Sequence, residues 1–147
     1  MSDGKELQCQ IYPYGTCTPL KYVVVCSFYK GQYLLSRHKR RHTWETQGGH
    51  IETGETPLDA VKRELFEESG VKDAVLYPVC DYLGYVATGS AYGVVFLADV
   101  RKLGDMPESE MEEAVLFPSL PDALTYPNVT PVLFEKAKCV AAEKGIL

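Results

Sequence analysis

Residues 49–71 read GHIETGETPLDAVKRELFEESGV, and the interpretation of the whole chain turns on them. Thr56 is a good N-cap residue, Pro57 suits the first helical position, Asp59 completes a weak capping box, and Gly70 supplies the stop. These signals predict a helix along which Leu58, Val61 and Leu65 recur at i, i+3 and i+7 as an apolar stripe. Glu64, Glu67 and Glu68 stand at i, i+3 and i+4 on a face beside that stripe. Like charges at this spacing oppose one another by roughly 0.2–0.5 kcal/mol per pair, and carboxylates in the last turn also face the negative end of the helix dipole. Arg63 can pair with Glu67 at i+4, so a solvated acidic face is the bland reading. The sharper reading is that hard oxygen ligands which the fold does not need are what a divalent cation such as Mg2+ needs, when it is shared with a substrate phosphate.

The stretch resembles the Nudix box of the Nudix hydrolase family: a glycine, five residues, a glutamate, seven residues, then R-E-U-x-E-E-x-G-U with U a bulky aliphatic residue. Every fixed position is filled, by Gly49, Glu55, Arg63, Glu64, Leu65, Glu67, Glu68, Gly70 and Val71. The resemblance implies an α/β fold, specifically a Nudix-type α/β/α sandwich with a mixed β-sheet. It also implies a loop-helix-loop that holds a divalent metal and cleaves a diphosphate linked to another moiety, commonly a nucleoside. By position, Glu67 and Glu68 are the first metal ligands expected and Glu64 the third, with Gly49 offering a backbone carbonyl that its missing side chain leaves accessible. Arg63 is expected to orient the acidic side chains through charge-assisted hydrogen bonds, and Glu55 to fold back and brace the same site.

What the resemblance implies chemically is hydrolysis of a phosphoanhydride by water attack at phosphorus, with Mg2+ as cofactor and Mn2+ as a substitute. The catalytic set is then Glu67, Glu68, Arg63 and Glu55. A carboxylate would take the proton of the attacking water, and the choice stays open between Glu67, Glu68 and the acidic stretch 104–113, where Glu110 and Glu113 best match a further glutamate found beyond the box in family members. The basic run RHKRR offers Arg37, Arg40 and Arg41 to substrate phosphate, although an ordinary solvated loop has the same composition. By analogy with short single-domain members, the substrate class is nucleoside triphosphates, including oxidised deoxynucleotides. ADP-ribose or ADP-sugar hydrolysis, dinucleoside polyphosphate hydrolysis and a non-catalytic nucleotide-binding module are the alternatives. Many relatives carry proline before the double glycine; this chain has Gln47, which restores an N–H and adds a polar side chain.

The bounding facts agree with a small enzyme. At 147 residues and 46% hydrophobic content the chain fits one compact domain, residues 1–147. A formal net charge of −5 argues against general nucleic-acid binding by bulk charge and leaves room for a local phosphate site. The N-terminal MSDGKELQCQ is polar and no apolar run approaches the roughly 18 residues of a membrane span, so a soluble, cytoplasmic protein is expected. The expected partner is a small nucleoside diphosphate derivative, and an exposed sheet edge could support a homodimer. Five cysteines without a C-x-x-C pair read as reduced thiols.

Outside the box, 21–29 reads as a buried strand joined to 32–37 across a Lys30-Gly31 turn. Segments 74–88 and 91–100 read as strands joined at Gly89-Ser90. The stretch 104–113 reads as an acidic loop and 120–128 as a turn-rich connection. Residues 130–145 read as a helix capped by Thr130 and stopped by Gly145. Tyr82, Tyr85, Tyr92, Trp44 and Phe28 are aromatic residues suited either to stacking on a base or to packing.

Overall fold

The computed structural model describes residues 4–147, so the first three residues of the polar N-terminal stretch lie outside it. A short 3-10 turn, Gly4–Glu6, leads into seven strands and two helices: β1 Gln8–Tyr12, β2 Leu20–Tyr29, β3 Gln32–His38, β4 Gln47–His50, α1 Pro57–Ser69, β5 Asp73–Val86, β6 Gly89–Lys102, β7 Met111–Phe117 and α2 Thr130–Glu143. One mixed sheet runs in the order β1-β5-β6-β2-β3-β7, with β4 added to β2 off that path. The β2–β6 pair is parallel and the other pairs are antiparallel. Among the described residues no helix is long and apolar enough to cross a membrane.

The sheet is covered on both faces, which explains why its central strands read as near-continuous apolar runs. Period-two alternation sorts their side chains. Val23 and Val25 of β2 with Val94, Phe96 and Ala98 of β6 pack against Ala60, Val61 and Leu65 of α1. Cys26 and Phe28 with Val95 and Leu97 face the other way, onto Leu133, Phe134 and Ala137 of α2. Phe28, Tyr33 and Phe134 interlock there with ring centroids 5.0–5.4 Å apart.

Helix α1 starts as the sequence predicts. Thr56 Oγ1 accepts from Asp59 N at 3.1 Å, Asp59 Oδ2 accepts from Thr56 N at 3.2 Å, and Gly70 takes the left-handed conformation at φ 80°. Replacing Thr56 with alanine is expected to lower stability by about 1 kcal/mol, read as a lower urea midpoint with an unchanged slope. The apolar stripe differs from expectation. Leu58 is exposed, and the buried face consists of Ala60, Val61, Glu64, Leu65 and Ser69. β4 lies against this helix, so a box glutamate, Glu64, is enclosed on the face where Val61 and Leu65 are buried, while Leu58 is left outside it.

Several boundaries also move. The β5–β6 hairpin closes at the Val86–Gly89 pair, so its tip is 87–88 rather than Gly89-Ser90. The end of the expected acidic loop, from Met111, is the edge strand β7, and α2 is capped by Val129 and Lys144 rather than by Thr130 and Gly145.

Candidate active site

β2 is the widest strand in its pairing: its outer half, 27–29, pairs β3, while 22–25 pairs β4. β4 then delivers the chain through 51–56 into α1, setting Gly48 and the box glycine Gly49 against the helix's last turns. Gly48 N donates to Glu68 Oε1 at 2.7 Å. A Cβ on Gly49 would run into the Glu64 carboxylate, so glycine at 49 makes the space in which that carboxylate sits.

Arg63 gathers the remaining acids. Its Nε donates to Glu55 Oε2 at 2.7 Å and its Nη2 to Glu55 Oε1 at 2.9 Å, the bidentate fork that a guanidinium and a carboxylate form. Nη2 also donates to the His50 carbonyl at 3.1 Å and Nη1 to Glu67 Oε1 at 3.2 Å. Glu64 Oε2 and Glu52 Oε1 stand 3.4 and 3.5 Å away. The Arg63 hydrogen bond, helped by Glu52 N–H, holds the Glu55 carboxyl down at about 2.

Glu64 and Glu68 are pushed the other way. Burial raises Glu64 to about 7, with Glu67 adding to the shift and Arg63 opposing it. Burial raises Glu68 to about 9; the Gly48 N–H opposes this, while Glu64, Glu45 and Glu110 reinforce it. Two enclosed carboxyls whose burial outweighs the one guanidinium near Glu64, over a glycine whose missing side chain leaves the space, form a donor set that suits a hard divalent ion, whose charge would oppose both shifts. Among the described residues no three acidic, His or Cys side chains stand in ligating geometry. Glu67 accepts instead from Arg63 Nη1, and Glu68 from Gly48 N. Glu64 and Glu68, with Glu67 rotated from Arg63, are the side chains that could hold a cation.

Without a cation these shifts fix a sign. The folded chain keeps protons on Glu64 and Glu68 that the unfolded chain gives up at the ordinary value of 4.5, so stability falls as pH rises through 7 and 9. In chelator the thermal midpoint is expected to decline between about pH 5 and about pH 9. Glu68→Gln should flatten that decline and stabilise the protein near pH 8 by on the order of 2 kcal/mol, after allowance for partial solvent screening. A wild-type midpoint that climbs over the same range contradicts the enclosure of Glu68.

The other expected site residues are dispersed. Arg37 Nε and Nη2 donate to Glu113 Oε2 at 3.0 and 2.8 Å, tying β3 to β7, and its Nη1 donates to the Arg41 carbonyl. Arg41 Nη1 donates to Glu45 Oε2 at 3.0 Å. Arg40 is exposed on the same turn. Glu113 is thus committed to Arg37, whereas Glu110 is exposed, 3.9 Å from His38, and still contributes to the field at Glu68.

A cleft of ≈530 Å3 adjoins Gly48 and Gly49 on the side away from α1. Tyr22 and His50, with ring centroids 4.5 Å apart, lie along it, together with Tyr82, Tyr85, Tyr126 and Glu45. Tyr92 and Trp44 do not line it, nor do the three arginines; Trp44 packs on Phe117. Sequence reasoning missed Glu45. It is buried, and besides Arg41 its Oε2 accepts from Thr125 Oγ1 at 2.8 Å. The one signal available was alternation, since Glu45, Gln47 and Gly49 occupy every second position on the way into the box.

A family model described as NUDIX domain matches residues 19–135. The RNA pyrophosphohydrolase of Tolumonas auensis is 42% identical over 50 residues, which are 34% of this chain and 28% of that protein. The chain therefore spans 28% of the length of that curated relative. Two solved structures share the fold. The Bacillus subtilis pyrophosphohydrolase BsRppH is 24% identical, with a TM-score of 0.77 over 91% of this chain and 90% of that one. The NUDIX domain of Shewanella oneidensis NrtR, complexed with ADP ribose, is 18% identical, with a TM-score of 0.68 over 88% and 92%.

Proposed function

The chain belongs to the Nudix family, and from that membership we propose that it is a divalent-cation-dependent hydrolase of compounds in which a diphosphate joins a nucleoside to another group, with nucleoside triphosphates as its substrate class. The observation that carries the reading is that Glu68 and Glu64 meet the Gly48 and Gly49 backbone, and the same two glycines line an aromatic-rich cleft. The acids supply cation ligands, and the cleft supplies a place for a base and sugar.

Glu64, Glu67 and Glu68 would hold Mg2+, which when bound supplies neutralisation of the charge on the phosphate oxygens. Everything else falls to side chains of this chain. Arg63 holds Glu55 in a fork and pulls on Glu67, fixing the helix against the 51–56 loop. Tyr22, His50, Tyr82 and Tyr126 offer ring faces and edges to a nucleobase. A carboxylate removes the proton of the attacking water, with Glu67, Glu68 and Glu110 as the candidates: Glu113 takes two hydrogen bonds from Arg37, whereas half-exposed Glu67 meets Arg63 through one at 3.2 Å. Arg40, exposed on the 38–42 turn, is the member of the basic run left to meet phosphate.

A second reading takes RNA carrying a 5′-triphosphate as substrate. It is favoured by the 42% identity with an RNA pyrophosphohydrolase across the matched segment, and a net charge of −5 is compatible with gripping one terminus rather than a long backbone. Phosphate and pyrophosphate release with Mg2+ across nucleoside triphosphates, oxidised deoxynucleotides, ADP-ribose, dinucleoside polyphosphates and a 5′-triphosphorylated RNA separates the readings. Turnover of the free triphosphates that is lost in Glu68→Gln supports the first; turnover of RNA alone supports the second. Binding of a nucleotide with no turnover of any of them makes the protein a binding module.

A further inference from the structure

We propose that Ser36 and Gln47 are positioning residues that set this chain's cation affinity, through a buried hydrogen-bond relay running from β2 through β4 and β3 to the backbone of Glu68. The proposal rests on the reading of Glu68 as a cation ligand.

Ser27, Ser36 and Gln47 each have 0% exposure, on central strands whose other buried side chains are apolar. Gln47 Oε1 accepts from Ser27 Oγ at 2.7 Å, and its Nε2 donates to the Leu34 carbonyl at 3.1 Å and to Ser36 Oγ at 3.0 Å. Ser36 Oγ in turn donates to the Glu68 carbonyl at 2.7 Å. The direction of the relay is forced. The Leu34 carbonyl can only accept, so the amide nitrogen must face it, which leaves the amide oxygen for Ser27. Ser36 receives an N–H from Gln47, and its single proton is then free to go to Glu68.

Helix α1 does not need this arrangement to end. Gly70 already caps it with N–H to the Phe66 carbonyl at 2.8 Å, and a terminal carbonyl such as that of Glu68 is ordinarily left to water. Burying three polar side chains to reach it is unfavourable unless every partner is met, as it is here. The result is that Glu68 is tethered twice to the same pair of strands: its carbonyl by Ser36 of β3, and its carboxylate by the N–H of Gly48, the residue after Gln47 in β4. A proline at position 47 supplies neither the acceptor nor the two donors. In this chain the glutamine holds β4 and β3 in register with the helix end, so the carboxylate is aimed before any cation arrives.

The relay's role is read from Mn2+ binding without substrate, followed by the electron paramagnetic resonance of the free ion, with unfolding midpoints in chelator alongside. Ser36→Ala is expected to weaken Mn2+ binding by about 10-fold. Ser27→Ala removes an equally buried hydroxyl of the same network but leaves the bonds to Glu68, so it should lower the midpoint comparably while changing the Mn2+ Kd by less than about twofold. A wild-type Kd in Ser36→Ala, with Glu68→Gln abolishing binding, makes the relay merely structural and overturns the proposal while the cation site stands. Equal Mn2+ binding by wild type and Glu68→Gln removes the cation site, and the proposal with it. Should Ser36→Ala not fold, Gln47→Met takes its place, with the same weakening expected and a wild-type Kd as the overturning result.

Discussion

Glu68→Gln is expected to lower turnover by about 10^3 or more while leaving the protein folded, a loss equivalent to roughly 4 kcal/mol of transition-state stabilisation. Glutamine keeps the shape and one oxygen of the side chain, so the bond from Gly48 N survives; what goes is the negative charge that a cation requires. Glu67→Gln should behave alike for activity, and its fold has less to lose. Its side-chain hydrogen bond among the described residues is the 3.2 Å contact from Arg63 Nη1 on a half-exposed side chain, a class of interaction worth well under 1 kcal/mol. The pairing of the two readouts is what makes the test sharp. A residue that held the fold together would lose stability along with activity, whereas Glu68→Gln should gain metal-free stability above neutral pH because an enclosed carboxyl has been removed. Wild-type turnover in either variant, assayed with Mg2+ on a substrate the parent cleaves, would refute its assignment.

The helix that carries these glutamates was legible because its signals are local. Cap, proline, stop glycine and acidic spacing all lie within one stretch of sequence, and the structure reproduces the capping box and the left-handed Gly70. The burial of β2 was legible for the same reason, as an apolar run, and β6 was legible as a strand. What the chain hid were elements defined by distant partners. β1, QCQIY, is a short edge strand with no apolar run, and it exists by pairing with Leu83, Tyr82 and their neighbours far along the chain. β7 begins Met-Glu-Glu and reads as loop, because the reason for a glutamate there, the Arg37–Glu113 pair, spans two strands.

The same distinction divides the site. The ligand candidates follow from spacing, but their environments do not. Glu64 is enclosed because β4 lies over the helix, and Leu58 is exposed because nothing covers it. Glu45 lines the cleft through Thr125, eighty residues away, and Gln47 matters through Ser27 and Ser36 on two other strands. A basic run suggested phosphate contact, yet the fold spends Arg37 on Glu113 and Arg41 on Glu45. Charge composition cannot tell a free guanidinium from one already paired across a sheet.

Arg63→Lys carries the other large expectation, a loss of activity of about 10- to 100-fold accompanied by lower stability at neutral pH. Lysine keeps the charge and loses the fork. One ammonium cannot reproduce the paired bonds to Glu55 at 2.7 and 2.9 Å together with those to the His50 carbonyl and to Glu67, so the 51–56 loop is released from the helix. The pH dependence gives this deficit a signature. Glu55 is depressed to about 2 by the Arg63 hydrogen bond, so its contribution is fully present above the ordinary value of 4.5 and is lost as pH falls toward 2. The stability difference between the parent and Arg63→Lys should therefore be largest near neutrality and shrink on acidification toward about pH 3, as denaturant midpoints at each pH would record. An undiminished difference at the acid end would mean that the Glu55 fork is not what Arg63 contributes, and would shift its role to the His50 carbonyl and Glu67.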